Sequence, residues 1–409
     1  VRGKCLDYVG GDRLAFLQKQ TTWTESRLGI NPKPPLGSGL GILKMTPDQE
    51  KCLLKFTPCH ASKVAQYLSH VVMQREEYFM RRALDLAAQG SGFTQPNPLV
   101  GALIVHNERI LAEGYHHRAG EVHAEIMALN QLQAEDLSLL PESTLYVSLE
   151  PCSHQGRTGP CSLAIVNSGI STIVVAHQDP NPLVAGRGLA MLRDAGRRVI
   201  LGTLEKEAAE QNKRFFTSIA AGRPHTTLKW AQDALGQVDG PRKNHPGPWP
   251  ITGQEAQVWT HRLRQECGSL LVGAGTWLAD STQGGVRAVA GPEIPRYLWA
   301  ERPLNDINQE RAEREGWILW SPLEGETSAE ALGRSLSVCG QVGLLVEGGP
   351  RTLQFFIDQG FCDEAYRLMS RNALPEGGSF APKTSWDWDS RAKWGLDELQ
   401  QARLPKLAL

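Results

Sequence analysis

Apolar residues recur at three- and four-residue spacing through Phe79, Met80, Ala83, Leu84, Leu86 and Ala87, the stripe of an amphipathic helix. Met73 opens this stretch and Gly90 is a natural stop, so the pattern predicts a helix over 73–90. From residue 100 the period shortens. Apolar runs over 100–105 and 110–115, separated by His-Asn-Glu-Arg, predict a strand pair. A helical period follows over about 123–133, then a short buried strand over 144–149. Further strands are expected at 172–176 and 199–201, with helices near 162–167, 187–195 and 205–221. Gly222-Arg-Pro then punctuates the chain, and the alternation restarts. A strand at 226–230, a helix at 253–267, a strand at 270–273 and a strand at 343–346 before a helix at about 350–359 make up the second series. Two α/β domains in tandem, 73–222 and 223–409, are the economical reading.

Residues 1–72 keep neither period. Asn31-Pro-Lys-Pro-Pro-Leu-Gly-Ser-Gly-Leu-Gly breaks both, and the segment reads as an extension, or an artefact, ahead of a functional start at Met73. A small accessory domain is the rival reading.

Composition narrows the class without naming a chemistry. The chain has 409 residues, 41% hydrophobic and 21% charged, ordinary values for a globular protein of two or three domains. Lys and Arg total 43 against 44 Asp and Glu, a net charge of -1, which gives no support to a polyanion-binding protein. No apolar run approaches the roughly 18 residues needed to span a bilayer, and no apolar signal core opens the chain. A cytoplasmic protein without membrane or nucleic-acid partners is expected, with homo-oligomerisation open. The eight cysteines (Cys5, Cys52, Cys59, Cys152, Cys161, Cys267, Cys339 and Cys362) are too scattered to suggest a disulfide framework. Only Cys152 and Cys161 share a compact context.

That context carries the chemistry. His123 and Glu125 stand at the start of a predicted helix, in His-Ala-Glu. The strand before the next helix ends in Glu-Pro-Cys152, and Pro precedes Cys161. One imidazole and two thiolates at helix N-termini suit a tetrahedral zinc with an open fourth position, because helix dipoles and metal both favour the thiolate. The open position would hold a water acidified towards neutrality, and Glu125 could shuttle protons beside it without ligating. His123, Cys152 and Cys161 are therefore the candidate metal ligands and Glu125 the candidate acid/base.

The pattern resembles the zinc-dependent nucleobase deaminases. The eight residues between the cysteines, including Ser-His-x-Gly-Arg-Thr-x-Pro, resemble the bifunctional deaminase/reductase family of riboflavin biosynthesis in particular. Gln95-Pro-Asn-Pro-Leu-Val-Gly, Glu113-Gly-Tyr-His-His-Arg-Ala-Gly and Asp179-Pro-Asn-Pro-Leu-Val-Ala-Gly-Arg-Gly extend the likeness. It implies a cytidine-deaminase-like three-layer α/β/α domain followed by a dihydrofolate-reductase-like α/β domain. It further implies that Asn97 binds the pyrimidine, that His116 lies near the substrate entrance, and that His154 and Arg157 line the cysteine loop, with Arg157 on a phosphate. Asp179 and Asn181 would hold the base or ribose.

In the second half, Leu228-Lys-Trp-Ala-Gln, Leu271-Val-Gly-Ala-Gly-Thr-Trp-Leu-Ala-Asp and Leu345-Val-Glu-Gly-Gly-Pro resemble the family's reductase. Its glycine-rich turns before helices suit phosphate approach, and no Gly-x-Gly-x-x-Gly fingerprint is present. The resemblance implies NADPH contacts from Thr276, Asp280, Gly349, Pro350, Arg351 and Thr352. Arg264, Arg287 and Glu347 would meet a phosphoribosyl pyrimidine. Asp233-Ala-Leu-Gly stands where Ser-Leu-Asp-Gly is expected, Trp249-Pro250 precedes Ile251, and Ser281-Thr282 replaces an Asn-Pro or Asp-Pro. The expected function is zinc-dependent deamination of 2,5-diamino-6-ribosylamino-4(3H)-pyrimidinone 5′-phosphate, then NADPH-dependent reduction of ribosyl to ribityl. A deaminase with a degenerate second domain and a tRNA or nucleoside deaminase are the alternatives.

Overall fold

The structure, a computed structural model, describes residues 58–153, 159–242, 245 and 247–404, with 58–72 by backbone alone. By contact the chain divides into a unit of 1–74 with 107–109 and a unit of 75–106 with 110–409. Apart from Arg109, both sheets belong to the second unit. Helix α1 (Pro58–Ala88) includes the helix expected from Met73 but begins at Pro58, a residue suited to the first helical position.

Five strands form the first sheet: β1 (Gly101–His106), β2 (Arg109–Tyr115), β3 (Thr144–Leu149), β4 (Thr172–His177) and β5 (Arg198–Leu201). Their order is β2-β1-β3-β4-β5, with β1 antiparallel to β3 and β3, β4 and β5 parallel. Period-two alternation gives β1, β3 and β4 two apolar faces each. Ala102, Ile104, Leu145, Val147, Ile173 and Val175 face helices α2 (Ala124–Asn130), α3 (Cys161–Ser168) and α4 (Arg187–Asp194). Leu103, Val105, Tyr146, Val174 and Ala176 face Phe79, Met80, Ala83 and Leu84 of α1 and Ala208 of α5 (Glu205–Gln211). This makes three layers, α/β/α, as expected.

One long helix is expected over 205–221, but the chain breaks into α5 and α6 (Lys213–Ala221) at Asn212. The Asn212 side chain accepts from the Leu99 N–H at 2.8 Å and donates to the Leu99 carbonyl at 2.9 Å. A side chain that pairs with a distant backbone amide fixes its own backbone outside the helix, and local periodicity carries no trace of that partner.

The second sheet has eight strands in the order β12-β13-β11-β6-β10-β7-β8-β9. Its centre is parallel: β6 (His225–Gln232), β10 (Gly343–Glu347), β7 (Leu270–Gly273), β8 (Arg296–Trp299) and β9 (Ile318–Trp320). β11 (Glu364–Ser370) runs parallel to β6, and the antiparallel hairpin β12 (Asp387–Trp394) and β13 (Asp397–Arg403) completes the edge. Helices α7 (Gln254–Cys267), α8 (Ala274–Asp280) and α9 (Asp306–Arg314) cover one face through Leu263, Trp277 and Ala312. The other face packs on α10 (Ser328–Val338) and α11 (Pro350–Asp358) through Leu332, Leu336, Leu353 and Phe356. Alternate residues of one strand serve the two faces: Leu344 and Val346 point one way, Leu345 the other.

A buried polar hub ties α6 to this sheet. The Glu364 carboxylate accepts from Lys213 Nζ at 2.6 Å, Tyr366 OH at 2.7 Å and Gln401 Nε2 at 2.8 Å. Arg223 adds a two-pronged pair with Asp363.

Candidate active sites

His123 caps the start of α2, Cys152 follows β3, and Cys161 opens α3, so three short elements converge on one point. His123 Nδ1 lies 3.2 Å from Cys161 Sγ and 3.6 Å from Cys152 Sγ. All three donor atoms lie within 4.8 Å of one another. A tetrahedral zinc with ordinary zinc–nitrogen and zinc–sulfur lengths would separate nitrogen from sulfur by about 3.5 Å. The nitrogen and sulfur donor set and its spacing therefore fit zinc. The Cys161 thiol, the His123 ring and the Cys161 N–H at 3.3 Å surround Cys152 Sγ, and they bring that thiol below its usual range although burial opposes it. Glu125, in the first turn of α2, is 3% exposed, and burial pushes its carboxyl up to about 7.

The other residues expected in this half behave differently from one another. Asn97 is present at the site through His116: its amide nitrogen lies 3.1 Å from His116 Nε2. His116 Nδ1 lies 3.1 Å from the Val122 carbonyl and so carries the ring proton, leaving Nε2 to accept from Asn97. The His116 ring stands edge-on to His123 at 5.6 Å. His116 is 3% exposed, with its ring held between the Val122 carbonyl and the Asn97 amide. Asp179 accepts from the Asn181 N–H at 2.8 Å and Asn181 from the Leu183 N–H at 3.0 Å, the turn-forming role of such residues. His154 and Arg157 lie outside the described residues.

Glu150 is a buried residue beside the site that motif and spacing do not single out. Buried at 6% exposure, it accepts four backbone N–H groups. Gly188 and Leu189 donate to Oε1 at 2.9 and 3.2 Å, Gly186 and Asp179 to Oε2 at 2.9 and 3.2 Å. One carboxylate thus fastens the Asp179–Asn181 loop and the start of α4 to the strand end that leads to Cys152. The signal available in the sequence is an acid directly after an apolar strand, just before Pro151.

In the second half, a cavity of about 970 Å³ opens at the carboxyl ends of β6, β10, β7 and β8, where parallel sheets present ligand sites. Arg264, Arg287, Glu347, Thr276, Asp280 and Gly349 to Thr352 all line it. Their partners refine the picture. Arg264 and Glu347 are paired to each other, Nε to Oε1 at 2.9 Å and Nη2 to Oε2 at 2.7 Å. Burial opposes ionisation of Glu347, but Arg264 and Lys229 outweigh it and hold the carboxyl at about 2. Thr276 Oγ1 accepts from the Gly349 N–H at 2.7 Å, joining the starts of α8 and α11. Gly273, which caps α8, has no room for a side chain against Thr352. Asp280 pairs at 2.7 Å with Arg242, a residue that no sequence motif marks. Arg287 donates to Gln283, and Arg351 is 91% exposed beside Glu301.

Lys229 is the principal residue of this site that the motifs leave without a role. It stands opposite Glu347 in the β6–β10 register, on the cavity floor, and burial lowers the pKa of its ammonium. A lone lysine between the buried Leu228 and Trp230 in a central strand is the legible hint. The departure at Asp233 has a physical account: its buried carboxylate accepts from the N–H groups of Leu235, Gln237 and Leu374, so it shapes the turn after β6.

Comparison with known proteins covers both halves of the chain. The model of the cytidine and deoxycytidylate deaminase zinc-binding region matches residues 73–177, and that of the RibD C-terminal domain matches 224–370. The riboflavin biosynthesis protein RibD of Aquifex aeolicus is 38% identical over 328 residues, 75% of this chain and 90% of that protein. That of Bacillus amyloliquefaciens is 44% identical over 333 residues, 75% of this chain and 87% of that protein. The crystal structure of a diaminohydroxyphosphoribosylaminopyrimidine deaminase/5-amino-6-(5-phosphoribosylamino)uracil reductase from Thermotoga maritima superposes with a TM-score of 0.71 at 29% identity. It covers 81% of this chain and 99% of its own. The chain therefore belongs to the RibD family of riboflavin biosynthesis proteins, which join a zinc-dependent deaminase to an NADPH-dependent reductase.

Proposed function

We propose that residues 73–222 deaminate 2,5-diamino-6-ribosylamino-4(3H)-pyrimidinone 5′-phosphate and that residues 223–409 reduce the ribosyl group of the product to ribityl. The observation that carries the first step is the convergence of His123, Cys152 and Cys161 beside the buried Glu125. His123, Cys152 and Cys161 would hold a zinc, which would supply Lewis acidity to lower the pKa of water. Water adds to the amino-bearing carbon, the C–N bond breaks, and ammonia leaves. Glu125 takes the water's proton and returns it to the departing amine, a task suited to a carboxyl lifted to about 7. Asn97 meets the base. One N–H of its amide is given to His116, which orients the group and leaves the second N–H and the oxygen to meet the base.

In the second site, bound NADPH would supply the hydride for the sugar's C1′. The C1′–O4′ bond opens and O4′ takes a proton. Lys229, on the cavity floor beside the Arg264–Glu347 pair, is the acid placed to give it. Thr276, Asp280 and Gly349 to Thr352 form the cofactor wall, where the start of α11 presents N–H groups to a pyrophosphate. Arg264, Arg287 and Glu347 orient the phosphoribosyl group.

A two-step assay with metal analysis of the same sample tests both halves. One zinc per chain, ammonia release, and NADPH oxidation that starts only after deamination are expected. Intact ammonia release by a zinc-loaded Glu125→Gln variant would overturn the acid/base assignment. Absence of NADPH oxidation on authentic deaminated substrate would leave a single-activity deaminase.

A further inference from the structure

The segment that presents Asn97 is held from the other half of the molecule. Gln95 Nε2 donates to the carbonyl of Glu266 at 2.8 Å, in the last turn of α7, where a carbonyl lacks a helical partner. Gly268 caps that helix at φ +73°, and a Cβ there would overlap Gln95 Oε1. The fit is reciprocal. Gly92, at φ +78°, faces Gln265, and a Cβ there would overlap the Gln265 side chain. Each element thus offers a left-handed glycine to the other's glutamine, so the two backbones approach as closely as they can. Arg264, which precedes Gln265 in α7, is paired with Glu347 in the second cavity. On the other side, Asn97 is hydrogen-bonded to His116, whose ring abuts His123.

We propose that Gln95 is a positioning residue for the deamination. Through it the last turn of α7, in the reductase half, sets the place of Asn97 beside the metal-ligating histidine. The inference rests on the proposed meeting of Asn97 with the substrate base. Gln95 acts through Asn97 and not on the reacting atoms, so its loss changes how well the base is met more than how fast the bound base reacts.

The test uses the full-length zinc-loaded enzyme and three variants: Gln95→Glu, Gln95→Ala and Asn97→Ala. Gln95→Glu keeps the shape but replaces the donor with an acceptor that faces a carbonyl. It should raise the deaminase KM about tenfold with kcat changed less than twofold, as loss of one buried hydrogen bond predicts. Gln95→Ala should raise KM in the same sense. Zinc content and reductase kinetics of the same samples should match the parent, since Gln95 does not line the second cavity. A raised KM in Asn97→Ala with parental KM in both Gln95 variants would overturn the positioning role while leaving the role of Asn97 intact. Parental KM in Asn97→Ala would overturn the reading of Asn97 and this inference with it. Loss of kcat and zinc together in the Gln95 variants, at unchanged KM, would show a scaffold contact only and would also overturn it.

Discussion

Glu150 shows how much a single buried carboxylate can organise. Two N–H groups meet each of its oxygens, so a glutamine in either orientation must turn its NH2 against two donors. Glu150→Gln should therefore lower stability by about 2–3 kcal/mol and deaminase kcat/KM at least tenfold, with reductase kinetics intact. Thermal denaturation and the two separate assays check this. The Arg264–Glu347 pair has a pH signature. The folded Glu347 carboxyl sits at about 2, below its ordinary value of 4.5, so the pair's contribution is fully present above about 4.5 and drains away as pH falls towards 2. Between those limits the parent should lose stability to denaturant more steeply than Glu347→Gln, which has no carboxyl to protonate there. His123, Glu125 and Cys161 are legible as candidates in the sequence because they stand at helix starts in short motifs, and Cys152 because it follows Glu-Pro at the end of an apolar strand. Glu150 and Lys229 are not. Glu150 takes its donors from 29 to 39 residues away, and Lys229 meets Glu347 only across a parallel pairing of strands.

Among the elements, those with a clear period stand where expected: β1, β3, β4, β7 and α7 follow the boundaries set by their apolar patterns closely. The break between α5 and α6 does not, because both flanks keep helical periodicity and only the Asn212–Leu99 pairing separates them. Asn212→Ala should cost about 2–3 kcal/mol by stranding the Leu99 N–H and carbonyl, measured by urea denaturation. The strands β8, β9 and β11 and the β12–β13 hairpin are also not expected from the pattern. β8 and β9 are only four and three residues long, too short to establish a period. β12 and β13 are long but largely polar, and their pairing with each other and with β11 supplies what their composition does not.

For the molecule as a whole, the halves are joined through Glu364, Asp363 and the last turn of α7, yet the two chemistries should be separable because their candidate residues lie in different sheets' sites. Chelation of the metal should abolish ammonia release and leave NADPH oxidation on deaminated substrate within twofold of the parent, checked on one sample before and after zinc is restored. If both activities fell together, the metal would be supporting the fold of the whole chain. The near-zero net charge is consistent with small phosphorylated ligands met by a few local cations, and among the described residues no helix is long and apolar enough to cross a membrane. The amino-acid sequence by itself determined the tandem α/β architecture, because periods of 2 and 3.6 residues are local properties of a chain that buries one face. It also marked His123, Cys152 and Cys161 as candidate metal ligands and Glu125 as the candidate acid, because that donor set is recognisable by residue type and motif. Tertiary structure alone decided which groups pair: Arg264 with Glu347, Arg242 with Asp280, His116 with Asn97, and Gln95 with the end of α7. Such pairings depend on three-dimensional proximity between elements remote in sequence, and they fix which polar atoms remain free to meet a ligand.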